Sequence, residues 1–126
     1  MTINDKYPWL EKYLLSKKGV EKDYKAEWNW ERFMIRGKMF TAFCYDKDGN
    51  IVYITVKSEP DFNFMLRNTY DNIIPGYYMN KEHWNSIVVA GKDIPDDVVK
   101  EMCDRGYNLI LNSFSKKVRA DISGVE

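Results

Sequence analysis

The sequence predicts an α+β domain built on a mostly antiparallel sheet of about five strands, with helices packed against it. Segments with alternating apolar residues cluster in the first half of the chain, and segments with helical spacing lie near both ends. The two kinds of segment follow the order α-β-β-β-α-β-β-α. Strict strand–helix alternation would indicate a parallel sheet, so this order favours antiparallel pairing.

The first predicted element is an amphipathic helix over residues 4–18. Apolar side chains recur at helical spacing from Ile3 to Leu14, and Pro8 is tolerated in a first helical turn. The following residues, 20–29, are polar and predict an irregular segment.

Three strands are expected next, as an antiparallel meander: residues 32–36, 38–45 and 51–57. In the second strand, alternation places Phe40, Ala42 and Cys44 on one face. Gly37 lies between the first two strands and allows a tight turn there. The sequence of residues 46–50 predicts a hairpin because Gly49 can adopt a positive φ.

Pro60 is expected to open a short second helix whose apolar stripe is formed by Phe62, Met65 and Leu66. Residues 76–80 and 84–90 then predict two more strands, joined at residues 81–83.

The last helix is expected to open at Pro95, with the acids Asp96 and Asp97 in its first turn. Its predicted buried face is Val99, Met102, Gly106, Ile110 and Phe114. Gly106 weakens a helix, so it indicates close packing or a bend. Residues 1–118 are predicted to form a single domain, and residues 119–126 a polar, frayed C-terminal tail.

Charge and composition limit the classes of function. The chain has 19 basic and 19 acidic residues, a net charge of zero. Nucleic-acid binders usually carry a basic excess, so a positive surface here requires an uneven distribution of charge. No apolar stretch is long enough for a membrane span, and no signal peptide is evident, so a cytoplasmic location with two reduced thiols is expected.

The sequence offers no catalytic or metal site, and the protein is predicted not to be an enzyme and to need no cofactor. His83 is its only histidine. Cys44 and Cys103 are far apart and lie on or beside apolar stripes, which is typical of buried, inert thiols. Neither a nucleophile elbow nor a glycine-rich phosphate loop is present. Acids at near-helical spacing are expected to form a solvated face: Asp93, Asp97, Glu101 and Asp104.

Eight residues near predicted turns and strand ends are candidates for binding a nucleic acid: Arg36, Lys38, Lys57, Arg67, Asn80, Lys81, His83 and Trp84. The functional interpretation is one positive patch at the edge of the sheet. The alternative is that the charges are separately solvated and that Trp84 packs in the core. Residues 75–84 concentrate aromatics beside polar residues, which is compatible with either a binding rim or core packing.

Several short motifs, in fixed order, resemble the MmcQ/YjbR-like family: residues 37–40, 56–57, 75–81, 83–85 and 94–97, with Tyr107 and Leu109. The resemblance covers residues 5–118. It implies a CyaY/YjbR-like fold, distantly related to frataxin, and a DNA-binding function through a double-wing arrangement of strands. Tyr78 stands where the family usually has histidine, and Gly106 where it usually has serine.

Two functions follow as hypotheses. The first is a non-enzymatic DNA-binding protein that contacts mainly the phosphate backbone. The second is an adaptor for a protein or small ligand, which uses an aromatic surface at Tyr77–Trp84.

Overall fold

The computed structural model describes residues 1–77 and 79–124, whose strands form a six-stranded antiparallel sheet. This confirms the predicted α+β class. The strands are β1 Val20–Lys25, β2 Trp30–Ile35, β3 Lys38–Tyr45, β4 Ile51–Lys57, β5 Ile73–Pro75 and β6 Trp84–Val88, in the spatial order β1-β2-β3-β4-β6-β5. The helices are α1 Ile3–Lys6, α2 Leu10–Leu15, α3 Pro60–Thr69, α4 Asp96–Asn112 and α5 Lys116–Ser123.

The main core lies between one face of the sheet and helices α2, α3 and α4. Phe33 and Phe43 on the sheet and Leu10 and Met102 on the helices are among its buried members. Gly106 lies where α4 crosses the sheet, and a Cβ atom there would stand 2.7 Å from the carbonyl oxygen of Lys57. The close packing predicted at Gly106 is therefore confirmed.

The first helix departs from the prediction because it is split in two. Helix α1 ends at Lys6, and Tyr7 leaves the helical region with φ −135° and ψ 72°. The ring of Pro8 disfavours helical geometry in the residue before it, so the chain breaks there instead of starting one continuous helix.

Strand β1 occupies a segment predicted to be irregular. Val20–Lys25 pairs with β2 along its whole length, yet its side chains are exposed or half-buried. A strand at the edge of a sheet keeps only one partner and carries charged residues. Apolar alternation is consequently too weak there to reveal the strand.

Both predicted tight turns of the meander are confirmed. Arg36 and Gly37 join β2 to β3 with φ values of 49° and 81°, the double positive φ of a type I′ hairpin. Gly49 has φ 81° in the next turn, where Asp46 Oδ1 accepts the backbone N–H groups of Asp48 and Asn50, both at 2.9 Å.

A β-bulge corrects the predicted faces of β3. Thr41 pairs with Phe33 but Met39 pairs with Met34, so Phe40 is an extra residue. Phe40 packs in the main core, whereas Ala42 lies in a second cluster on the other side of the sheet. One inserted residue moves the following side chains to the opposite face.

The face of the sheet turned away from α2, α3 and α4 is called the open face below. Trp30, Ala42 and Cys44 form a buried cluster there, and Met39, Tyr53 and Met79 pack against it. The open face therefore has a small buried cluster of its own.

The described residues of the strand predicted at 76–80 form no strand, and β5 lies just before them at Ile73–Pro75. The segment called the strap here, residues 76–77 and 79–83, lies between β5 and β6 and places Met79 on the open face. Pro75 has no N–H for further pairing, and a Cβ atom on Gly76 would stand 2.5 Å from Cβ of Trp84. Tyr78 lies outside the described residues.

Helices α3 and α4 begin at the positions that Pro60 and Pro95 predict. The buried face of α3, however, differs from the predicted one. Phe62 and Leu66 are buried, whereas Met65 is 51% exposed and Asn63 is buried in its place. Asn63 donates to the backbone oxygens of Ser58 and Glu82, at 3.2 and 3.1 Å. These bonds satisfy a polar side chain that apolar periodicity would place outside.

The predicted C-terminal fraying is also corrected, because residues 116–123 form helix α5. Ser115 caps it by accepting the N–H of Val118 at 3.2 Å. Gly124 ends it with φ 72°. Ile122 packs on Gly19, where an added Cβ atom would stand 2.6 Å from its methyl group. A polar helix of eight residues is held here mainly by its caps and one apolar contact. No helix of the described chain is long and apolar enough to cross a membrane.

Candidate functional site

Several predicted binding residues gather at one end of the sheet, called the lysine end here. Lys38 begins β3, Lys57 ends β4 and Trp84 begins β6. Lys57 and Trp84 are paired directly across the two strands, and Arg36 precedes Lys38 in the β2–β3 turn. Antiparallel order therefore unites positions that are 48 residues apart in the chain, from Arg36 to Trp84.

Lys57 owes its position to Trp84. Its ammonium group lies 5.3 Å from the centre of the Trp84 ring, within range of a cation–π interaction. Trp84 itself is only 7% exposed, as the core interpretation predicted. Trp84 therefore holds the Lys57 ammonium group in place and has little exposed surface with which to contact a ligand itself.

Lys38 is fixed in a similar way by the end of α4. Its Nζ atom donates to the hydroxyl of Ser113 at 3.2 Å and lies 4.8 Å from the centre of the Phe114 ring. Neither contact neutralises the charge, so the exposed ammonium remains available to an anion.

Arg36 is exposed but paired. Its guanidinium donates to the carboxylate of Asp121 on α5 at 2.7 Å, with side-chain exposures of 50% and 72%. Exposed pairs of this kind contribute about 0–1 kcal/mol and exchange readily with other partners.

Arg67 holds the chain together more than it faces solvent. It donates to Asn85 Oδ1 at 2.6 Å, to the backbone oxygen of Trp84 at 3.3 Å and to the backbone oxygen of Lys81. Burial lowers the pKa of its guanidinium below the usual value. These acceptors tie α3 to the strap, so the structure gives Arg67 an intramolecular role.

Asn80 and His83 shape the strap. Oδ1 of Asn80 accepts the backbone N–H groups of Glu82 at 2.9 Å and His83 at 3.3 Å, which makes a local turn. The backbone oxygen of His83 accepts the N–H of Ser58 at 3.0 Å. Lys81, within this turn, is exposed and points a third lysine toward solvent at the same end.

A buried polar network that the sequence did not reveal supports this end of the sheet. Asn85 is fully buried and donates to the backbone oxygen of Asn63 at 3.1 Å, while its own oxygen accepts Arg67. The position of Asn85 directly after Trp84 was the available signal, since asparagine inside an apolar strand needs partners.

Three lysines of the lysine end form no ion pair with the described residues. Within residues 1–77 and 79–124, ion pairs engage Lys6, Lys17, Lys22, Lys25, Arg32, Arg36 and Arg105. Lys38, Lys57 and Lys81 pair with no acid of that part of the chain. They are the predicted site residues whose charge is least compensated.

Helix α5 adds cations that the sequence analysis had assigned to a frayed tail. It begins at Lys116, directly after the segment that contacts Lys38, and it carries Lys117 and Arg119. Its contacts with Arg36 and Gly19 fix it beside the β2–β3 turn. The positive surface at this end is thereby larger than the predicted set.

The thiols match the predicted inert type. Cys44 and Cys103 are free and buried, and burial raises the pKa of each to about 12. A thiolate nucleophile needs a lowered pKa and access to solvent. The geometry supplies neither.

Three of the four acids predicted to form a solvated face at the last helix form ion pairs. Asp93 pairs with Lys6, Asp104 with Lys17, and Glu101 with Arg105. No group of three or more potential metal ligands occurs among the residues that the structure describes.

Comparison with known proteins fixes the family. The family model described as YjbR matches residues 15–109 of the chain, which is well over half of its 126 residues. The protein belongs to the YjbR family.

Two proteins of Escherichia coli are similar to this chain. The chain is 31% identical over 85 residues to the uncharacterized protein YbdF of Escherichia coli O157:H7, which covers 68% of this chain and 67% of YbdF. It is 23% identical over 119 residues to YjbR of Escherichia coli K12, covering 94% and 95% of the two chains.

Two solved structures share the fold. The DUF419 domain of the Deinococcus radiodurans protein DR2400 matches with a TM-score of 0.80 and 21% identity over 99% of this chain and 89% of its own. A Pseudomonas syringae protein matches with a TM-score of 0.67 and 20% identity over 82% of this chain and 97% of its own. At these identities, the likeness establishes the YjbR-family fold alone.

Proposed function

We propose that this YjbR-family protein binds the phosphate backbone of DNA without catalysis, through Lys38, Lys57 and Lys81. The observation that carries the proposal is that these three lysines share one end of the sheet and pair with no acid of the described chain. A cation without a protein partner has more to gain from a phosphate than one already paired.

The lysines reach one end of the sheet from three segments of the chain. Lys38 begins β3 and contacts the end of α4, Lys57 ends β4 on the face that carries Tyr53, and Lys81 lies in the loop before β6. Duplex DNA carries one charge per about 1.7 Å of its axis, so cations gathered at one end of the sheet can meet several of its phosphates. Lys38 and Lys57 are held on aromatic rings, which lowers the entropy lost when they are fixed by a phosphate.

The proposed binding is weak and depends little on base sequence. The net charge of the chain is zero, Glu82 follows Lys81 directly, and Arg36 reaches DNA only by leaving Asp121. Phosphate contacts position a protein but carry no sequence information.

Charge substitutions test this proposal. Lys38→Glu and Lys81→Glu, measured by fluorescence anisotropy with a labelled duplex at low salt, should each weaken binding severalfold. Lys57→Gln should also weaken binding severalfold. Glutamine is used at this position because glutamate would place a negative charge beside the buried Trp84 ring. The matched control is Lys47→Glu, an exposed lysine in the β3–β4 turn at the opposite end of the sheet. Equal loss from Lys47→Glu would show only a diffuse effect of net charge and would refute a localised site.

An adaptor that uses the aromatic surface at Tyr77–Trp84 is the second candidate. Tyr77 favours it, because the residue is 41% exposed and stacks on Tyr53 with ring centres 5.0 Å apart. Trp84 does not, because it is buried under Lys57. Backbone amide shifts recorded during a DNA titration separate the two: changes centred on Lys38 and Lys81 support DNA binding, and unchanged shifts there favour the adaptor.

A further inference from the structure

An aromatic cleft on the open face lies outside the lysine end and has no role in the proposed DNA binding. Its first part has a volume of about 470 Å³ and is lined by Glu27, Trp28, Trp30 and Met79. A second part of about 360 Å³ adjoins it and shares both tryptophans, with Cys44, Tyr53 and Tyr77 among its other lining residues. Small-molecule sites typically have volumes of about 300–1,000 Å³ and mostly apolar walls.

Two pairs of aromatic rings form the walls. Trp28 meets Trp30 edge to face, with ring centres 5.2 Å apart, and Tyr77 stacks on Tyr53 at 5.0 Å. Trp30 and Cys44 are nearly buried, at 6% and 5% exposure. Trp28 is 51% exposed and Tyr77 is 41% exposed. The two exposed rings therefore stand beside the buried side chains of Trp30 and Cys44 at the bottom of the cleft, an arrangement that suits the insertion of a flat ring.

The charges around the cleft cancel. Lys25 and Arg32 lie over the Trp28 ring, at 5.3 and 5.9 Å from its centre. Each is already paired, Lys25 with Glu27 at 3.3 Å and Arg32 with Asp23. The rim consequently offers neither sign of charge to a ligand, and an uncharged molecule complements it best.

We propose that the aromatic cleft binds an uncharged, planar heteroaromatic small molecule, with its face against one of the rings of Trp28 and Trp30 and its edge toward the other. The cleft lies on the face of the central strands β2, β3 and β4, whereas the edges of the sheet are β1 and β5. A peptide added as an extra strand needs an edge. A single flat ring system needs no free edge.

Indole N–H signals of the four tryptophans test the proposal with an internal control. Riboflavin and adenosine serve as uncharged planar probes, cyclohexanol as a non-planar one, and flavin mononucleotide as an anionic version of the first. Titration with riboflavin or adenosine should move the signals of Trp28 and Trp30 saturably and leave those of Trp9 and Trp84 in place. Cyclohexanol should move none.

Two variants assign the site. Trp28→Ala removes an exposed ring and should weaken the planar probe about tenfold, since stacking on one aromatic ring contributes that much or more. Phe64→Ala removes a ring on α3 that is 64% exposed and should have no effect. Flavin mononucleotide should bind no more tightly than riboflavin, because the cations at the rim are already paired with Glu27 and Asp23.

Three results would overturn the proposal. The first is unmoved Trp28 and Trp30 signals with riboflavin and adenosine up to their solubility limits. The second is equal affinity of the planar probe for wild type and Trp28→Ala. The third is movement of the two signals by single-stranded DNA alone, which would assign the rings to nucleic-acid bases instead of a free small molecule. None of these results bears on whether charge substitutions at the lysine end weaken duplex binding, so the two proposals fail separately.

Discussion

Replacement of Arg67 by methionine distinguishes an arginine that holds the fold from one that binds DNA. The sequence placed Arg67 in the binding set, but its guanidinium donates to Asn85 Oδ1 and to the backbone oxygens of Lys81 and Trp84. Methionine keeps the apolar stem and removes all of these donors. The fully buried oxygen of Asn85 then loses a charged donor.

The expected loss of stability follows from these bonds. A hydrogen bond to a charged group contributes about 1.5–3 kcal/mol when buried, but Arg67 is half-buried, and solvent replaces part of the interaction. We expect Arg67→Met to lower the free energy of unfolding by about 2–4 kcal/mol. Urea denaturation followed by tryptophan fluorescence measures this value, with an unchanged m-value.

Arg119→Met on α5 is the matched control, because the Arg119 side chain forms no hydrogen bond or ion pair with the described residues. It should change the free energy of unfolding by less than about 0.5 kcal/mol. A loss below about 0.5 kcal/mol for Arg67→Met would refute the intramolecular role of Arg67. Full stability together with weaker DNA binding would restore it to the binding set.

Three further predictions concern packing, thiols and pH. Gly106→Ala should destabilise the protein by about 1–3 kcal/mol in urea denaturation, because its Cβ atom would stand 2.7 Å from a backbone oxygen; a gain of about 1 kcal/mol, as helix propensity alone predicts, would contradict the close packing. Cys44 and Cys103, with pKa values raised to about 12, should not react with iodoacetamide at neutral pH until denaturant is added. Mass spectrometry measures the labelling, and labelling of either thiol in the native protein would contradict this prediction. Backbone hydrogen bonds from Asn50 and Asp48 lower the pKa of Asp46, so its stabilisation is present above the unfolded pKa near 3.9 and is lost as pH falls through the lower folded value. The stability gap between wild type and Asp46→Ala should therefore narrow as pH falls below about 3.9, and a gap that stays constant on acidification would count against the charge of Asp46.

Local signals in the sequence predicted much of the fold. Gly37 and Gly49 marked turns that need positive φ, and both have it. Pro60 and Pro95 marked helix starts, and the long strands β3 and β4 have the predicted bounds. Glycine and proline each favour particular backbone conformations, so the conformation of the chain beside them is determined locally.

Elements that depend on distant partners could not be predicted in the same way. The edge strand β1 has no apolar alternation, and helix α5 is fixed by Gly19 and Arg36 from the other end of the chain. The bulge at Phe40 depends on the pairing of two strands. Each is a tertiary effect that no short window of sequence contains.

The candidate site shows the same division. Residue type and turn position were enough to select Lys38, Lys57 and Lys81. The intramolecular partners of Arg36 and Arg67 could not be predicted in this way, because they lie 85 and 18 residues away in the chain. Trp28 and Trp30 were not selected, because Trp28 lies in the segment 20–29 that was predicted to be irregular and Trp30 precedes the strand that was predicted at residues 32–36.

The salt dependence of duplex binding tests the central claim most directly. Three phosphate contacts predict that log affinity falls against log salt with a slope of about −2.7, and that Lys81→Glu reduces the steepness of that slope by about 0.9. Fluorescence anisotropy between about 20 and 200 mM salt covers the range in which such weak binding is measurable. No binding at the lowest salt, or a slope that Lys38→Glu and Lys81→Glu leave unchanged, would contradict the assignment of the lysine end to DNA.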